Sequence, residues 1–137
     1  MSDLVWDASA VLKLVVQEPG SAQAENLFVG DFTHHLLDWT ALEIGSALWK
    51  RTERCGADSH SALRAFDAFN KLDFELTEGA AFAEAAFGLA LLHHHPIYDC
   101  AYVALALETG ATIVTADARM RRVAEATGIE VIWIEAA

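Results

Sequence analysis

A chain of 137 residues, 54% of them hydrophobic, is long enough for one domain with its own core, and residues 1–137 read as a single unit. That apolar content excludes a disordered chain; two cysteines, Cys55 and Cys100, outside any Cys-x-x-Cys pair exclude a disulfide scaffold or a zinc ribbon. The formal net charge of −11 excludes a tight, indiscriminate nucleic-acid binder, because such proteins neutralise phosphates with Lys and Arg.

No basic segment followed by an apolar run opens the chain. The longest apolar stretch, 80–92, is interrupted by Glu84 and falls short of the roughly 20 residues that span a bilayer. The expectation is a soluble, cytoplasmic protein in a reducing compartment, with no membrane partner.

Leu4-Val5-Trp6 predicts a short buried strand that ends at Asp7. Residues 8–16 follow as a helix with Leu12, Val15 and Val16 on its inner side, stopped by Pro19-Gly20. Ser21 caps a second helix carrying Ala24, Leu27 and Phe28. His34 to Leu37 predicts the second strand, and a long helix then runs from about Trp39 to Cys55, closed by Gly56. On it Glu43, Ala47, Lys50 and Arg54 share one face. Asp58-Ser59 opens a helix to about Lys71, 74–77 is a short third strand, and 78–93 is helical until Pro96 stops it. Residues 99–108 are apolar nearly all round and predict a buried helix ended by Gly110. Residues 112–115 predict the fourth strand, Asp117 opens a helix to Thr127, and 130–134 predict the last strand. Five short strands interleaved with helices predict an α/β fold with a central parallel five-stranded sheet and helices on both faces.

Four acids fall at the joints of this pattern. Asp7 and Asp117 directly follow strands, Glu43 begins the helix after the second strand, and Asp99 begins the helix leading into the fourth. In an open parallel sheet such joints share the edge where ligand sites form. Each acid alone also has a plainer role: Asp7 and Asp117 as helix caps, Glu43 as a solvated first-turn residue favoured by the dipole. Asp99 is harder to dismiss, since it leads a buried helix with no further charge until Glu108. Crowded carboxylates raise one another's pKa values unless a cation joins them, and all-oxygen ligands select Mg²⁺ or Mn²⁺. Such ions polarise phosphoryl oxygens and acidify bound water. Two divalent ions balancing four acids would leave −11 + 4 = −7, so any nucleic-acid contact must be local and selective.

Val5-Trp6-Asp7-Ala8-Ser9-Ala10, Ala41-Leu42-Glu43-Ile44, Tyr98-Asp99-Cys100-Ala101-Tyr102-Val103-Ala104-Leu105-Ala106 and Val114-Thr115-Ala116-Asp117 follow one another over nearly the whole chain. Together they resemble the signature of PIN domains, and in length and motif order the chain resembles VapC-type toxins of toxin–antitoxin pairs. The resemblance implies a three-layer α/β/α PIN-like fold. It implies a metal-dependent endoribonuclease in which Asp7, Glu43, Asp99 and Asp117 hold Mg²⁺ or Mn²⁺, supported by the hydroxyls of Ser9 and Thr115. It also implies a homodimer, and a cognate antitoxin whose C-terminal segment blocks the site. Cys100 stands where such chains often have Ala, a change expected to be silent.

Other residues carry competing readings. Lys50, Arg51 and Arg54 lie beyond Glu43, and Arg119, Arg121 and Arg122 follow Asp117. They form two solvated helix faces, or else Lys50, Arg54 and Arg119 anchor RNA phosphates without reading sequence. His93, His94 and His95 point in different directions on a helix end, where the dipole favours imidazoles, and do not readily share one ion. Trp39, Trp49 and the phenylalanines read as core or dimer contacts. Two rival functions are an aspartyl-phosphate phosphotransferase and a non-catalytic PIN-like binding module. The first would resemble Asp-x-Asp-x-Thr at the first strand, where this chain has Asp7-Ala8-Ser9-Ala10-Val11; the second would be marked by loss of an acid, and none is lost.

Overall fold

In a computed structural model that describes residues 3–135, the strands β1 (Asp3–Trp6), β2 (Thr33–Leu37), β3 (Glu75–Thr77), β4 (Thr112–Thr115) and β5 (Val131–Trp133) form one sheet. Its order is β3-β2-β1-β4-β5 and every pairing is parallel. The helices are α1 (Ala8–Val15), α2 (Ser21–Phe28), α3 (Thr40–Cys55), α4 (Ser59–Asn70), α5 (Ala83–His93), α6 (Ile97–Thr109) and α7 (Ala118–Ala126). None of the described helices is long and apolar enough to cross a membrane.

Because side chains alternate along a strand, each short apolar run supplies both faces of the sheet. Leu4, Trp6, Leu36 and Val114 pack with Ala10, Val11, Ala24, Ile44, Leu48, Ala65 and Phe69, which places α1 to α4 on one face. Val5, Leu37 and Ile113 pack with Ala86, the buried stretch Cys100–Ala106, Met120 and Val123, which places α5 to α7 on the other. Seven consecutive buried residues make α6 the central helix of its layer, as its uniform apolarity predicts.

The joints land together for a topological reason. Parallel strands require crossover helices, so α1, α3 and α7 all start at the edge where β1, β2 and β4 end. The α6 helix feeds β4 through Gly110, runs back against it, and therefore also starts at that edge.

Local departures from the sequence reading have local causes. Ser21 is the first residue of α2 and not its cap; Gly20 takes the cap position at φ 93°, where a Cβ would meet the Glu135 carbonyl oxygen at 2.1 Å. The Ser21 hydroxyl instead ties the preceding turn, accepting from Glu18 N at 3.0 Å and donating to the Val16 carbonyl at 3.0 Å. On α1 the fully buried apolar residues are Ala10 and Val11, with Leu12, Val15 and Val16 only partly covered. Lys13 is buried as well, its Nζ 3.1 Å from Glu18, which also pairs with Arg51. Residues 79–82 begin the predicted 78–93 helix as a 3₁₀ turn before α5.

Candidate active site

Asp7, one residue past β1, is 4% exposed. It caps α1, its Oδ1 accepting from Ala10 N at 3.1 Å and from the Ser9 hydroxyl at 2.6 Å. Its Oδ2 accepts from Thr115 Oγ1 at 2.5 Å. Each hydroxyl has one proton, and both are committed to Asp7. The same oxygens are therefore acceptors elsewhere: Ser9 Oγ for Ala116 N at 2.9 Å, Thr115 Oγ1 for Asp117 N at 3.0 Å. Two strand ends are thus laced through two hydroxyls. Asp117 caps α7 by accepting from Arg119 N at 2.9 Å, so for both aspartates the capping role and membership of this cluster coincide. Burial pushes the Asp7 carboxyl up to about 6; its hydrogen bonds pull the other way and the neighbouring Asp117 charge adds to the rise.

Glu43, in the first turn of α3, accepts from the Tyr102 hydroxyl at 2.5 Å through Oε1. Since Tyr102 gives its proton to the carboxylate, Thr40 Oγ1, 2.6 Å away, donates to the tyrosine oxygen. Thr40 and Tyr102 are both buried, at 0% and 1% exposure. Burial raises the Glu43 pKa, with Asp99 adding to the rise and the Tyr102 bond opposing it. Asp99, in the first turn of α6, lies with Oδ2 2.7 Å from Nε2 of the buried His95. Burial, reinforced by the charges of Glu43 and Asp7, raises the Tyr102 pKa and keeps its hydroxyl a donor. Tyr102 thus feels the charge of both Glu43 and Asp7.

The four acids predicted from sequence therefore reach one edge as two pairs, Asp7 with Asp117 and Glu43 with Asp99. Among the described residues no three Asp, Glu, His or Cys side chains draw together into a metal-holding group. Each carboxylate is instead bonded to its own partner: Asp7 to Ser9, Ala10 and Thr115, Glu43 to Tyr102, Asp99 to His95, and Asp117 to Arg119 N. The donor set still fits a hard divalent cation: all four are carboxylates. Among the described residues Glu43 Oε2 and Asp99 Oδ1 take no hydrogen bond, and a buried Asp7 lifted to about 6 is a group that a nearby cation would return to its charged form.

Lys50, Arg54 and Arg119 are exposed. At 1.5 Å per residue, Lys50 and Arg54 stand about 10 and 16 Å up α3 from Glu43, whereas Arg119 is two residues from Asp117. Arg51 is occupied by Glu18.

Two site residues escaped the sequence reading. Tyr102 lies inside an apolar helix and reads as core. His95 belonged to a triplet treated as a helix end; in fact His93 ends α5, His94 turns the chain at φ 51°, and only His95 reaches an acid. The spacing His95-x-x-x-Asp99, one helical turn, was the available signal.

Residues 4–126 match the PIN domain family. Ribonuclease VapC3 of Pyrobaculum aerophilum is 38% identical over 125 residues, spanning 85% of this chain and 91% of that protein. The crystal structure of PAE2754 from Pyrobaculum aerophilum superposes with a TM-score of 0.74 at 23% identity, over 95% of this chain and 83% of that one. VapBC2 from Rickettsia felis, bound to a promoter DNA fragment, gives a TM-score of 0.67 at 13% identity over 97% and 99% of the two chains.

Proposed function

Because the chain belongs to the PIN domain family, we propose that it is a Mg²⁺- or Mn²⁺-dependent endoribonuclease, the toxin of a toxin–antitoxin pair. The observation that carries the reading is the arrival of Asp7, Glu43, Asp99 and Asp117 at one sheet edge, in a chain 38% identical over 125 residues to a protein named a ribonuclease. These four acids would hold the metal, which when bound polarises the scissile phosphate and acidifies water. Ser9 and Thr115 orient Asp7 and favour its charged form. Tyr102 and His95 are positioning residues, fixing one oxygen of Glu43 and one of Asp99 and leaving the other oxygen of each without a hydrogen bond among the described residues. In-line cleavage with water as nucleophile would leave 5′-phosphate and 3′-hydroxyl ends. An aspartyl-phosphate enzyme is disfavoured by the run after β1, Asp7-Ala8-Ser9-Ala10-Val11, which lacks the second acid of Asp-x-Asp-x-Thr.

Solved VapBC structures share the fold, which supports an antitoxin as partner. A second copy would cover the exposed Phe87, Leu91, Leu92 and Leu107 of α5 and α6. The cytoplasm is the compartment this role requires.

The test is direct. Protein purified free of any partner should cut single-stranded RNA in Mn²⁺, stop in chelator, and resume when Mn²⁺ is restored. RNA left whole in Mn²⁺, or still cut in chelator, would overturn the reading.

A further inference from the structure

Beside the acids lies an aromatic corner that the proposed chemistry does not use. Trp39 precedes α3, one turn before Glu43, and Tyr98 is the neighbour of Asp99 on α6. Their ring centroids are 5.6 Å apart and the rings cross at 81°. Gly79 backs the corner: a Cβ there would lie 2.4 Å from the Trp39 ring, so only glycine lets the indole lie against this backbone. Between the rings, Gly79, Ala83, Ala86 and Ala101 lies a cavity of ≈ 200 Å³. With water occupying about 30 Å³ in the liquid, that is the room of about six or seven waters, the scale of one flat heterocycle and too little for a docked helix.

Two observations point to what would enter. Tyr98 is 63% exposed, so much of its ring is open to a stacking partner. Finally, the net charge of −11 denies the protein a general grip on phosphates, whereas stacking on an aromatic face does not depend on charge. We propose that the Trp39–Tyr98 corner seats one unpaired base of an RNA strand whose backbone passes the acids. The proposal rests on the ribonuclease reading for the identity of the strand. It gives that reading a recognition element: a single-stranded base splayed from its neighbours, as proteins commonly read RNA.

The experiment uses a short uridine oligonucleotide carrying one 2-aminopurine, a base whose fluorescence falls when it stacks. Wild-type protein in chelator, so that the RNA stays intact, should quench the probe with a shallow salt dependence. Y98F, which keeps the ring, should quench as well. Y98A and Y98L should weaken binding roughly 5- to 150-fold with unchanged melting temperatures, as loss of one aromatic stack does. No quench by wild type, or an equal quench by Y98A and Y98L, would overturn the corner and assign the aromatics to a protein contact. The same preparations are then given Mn²⁺. A Tyr98-dependent quench without cleavage would leave the corner standing and sink the ribonuclease reading; cleavage without that quench would do the reverse.

Discussion

Asp7 and Asp117 owe their places to adjacent parallel strands, whereas Glu43 and Asp99 ride on helices from opposite layers of the molecule. The first pair is fixed by strand register: Trp6 sits opposite Val114, and two hydroxyls, each two residues from its aspartate, lace the joints. The second pair depends on a bond thrown over the edge of the sheet, from Tyr102 in the α6 layer to Glu43 and Thr40 in the α3 layer. One half of the site is built by local geometry and the other by global packing. A disturbance anywhere between the layers should therefore reach Glu43 and Asp99 before it reaches Asp7 and Asp117.

The sharpest break is Asp7→Asn. Removing a ligand from the locally built half should lower RNA cleavage in Mn²⁺ by about 10³-fold, the several kcal/mol that a metal supplies to a transition state. In chelator the same variant should melt at a higher temperature than wild type near neutral pH, because it discards a buried and repelled charge. A catalytic residue whose removal stabilises the fold is the signature expected of this half. A D7N protein that cuts RNA at the wild-type rate would refute the site.

A second, smaller effect is the pH dependence of metal-free stability. Asp7 titrates near 6 in the fold against 3.8 in the unfolded chain. Between those values the folded state binds more protons, so stability falls as pH rises. The contribution is whole below pH 3.8 and is lost as pH passes about 6, on the order of 3 kcal/mol for a shift of this size. Glu43, also raised, acts in the same direction. Thermal melts in chelator at pH 5 and pH 7.5 should show wild type losing more than D7N; equal losses would remove Asp7 from the account.

The contrast between the halves also explains what could be read from sequence. The strands, both layers and the sheet-side acids lie in local patterns: alternation, a carboxylate after each apolar run, a hydroxyl two residues from each aspartate. Tyr102 carries no such mark, since its periodicity is that of a core residue and its partner lies 59 positions away. Lys13 is equally silent, because its burial depends on Glu18 reaching back across the turn. The start of the 78–93 helix reads as α because alanines favour helix generally, and nothing in them announces a 3₁₀ turn.

Third in size is a test of whether the halves are independent. Thr115→Val removes a hydroxyl from one half and Tyr102→Phe removes one from the other, and each should weaken Mn²⁺ binding about 10- to 100-fold by titration calorimetry. Both should also lower the melting temperature, since Y102F leaves the buried Thr40 hydroxyl without its partner and T115V leaves Asp7 Oδ2 and Asp117 N without theirs. In chelator the double variant should be additive within about 0.5 kcal/mol; with Mn²⁺ bridging both halves it should not be. Additivity in both conditions would mean that no ion joins them.

The smallest effect concerns which half meets the RNA backbone. Arg119 stands two residues from Asp117, while Lys50 is about 10 Å along α3 from Glu43. Both are exposed, and neither forms an ion pair among the described residues. If the locally built half also anchors the strand, R119A should weaken RNA binding a few-fold and lower the salt slope by about 0.7, the value for one phosphate contact on a single strand. K50A should leave that slope unchanged. Titrations from low to moderate salt separate the two, because a mere change in net charge would shift both variants alike, whereas a true phosphate contact shifts only the residue that makes it. The opposite ranking would move the anchor to the packed half and make strand placement hostage to the same interlayer bond that holds Glu43.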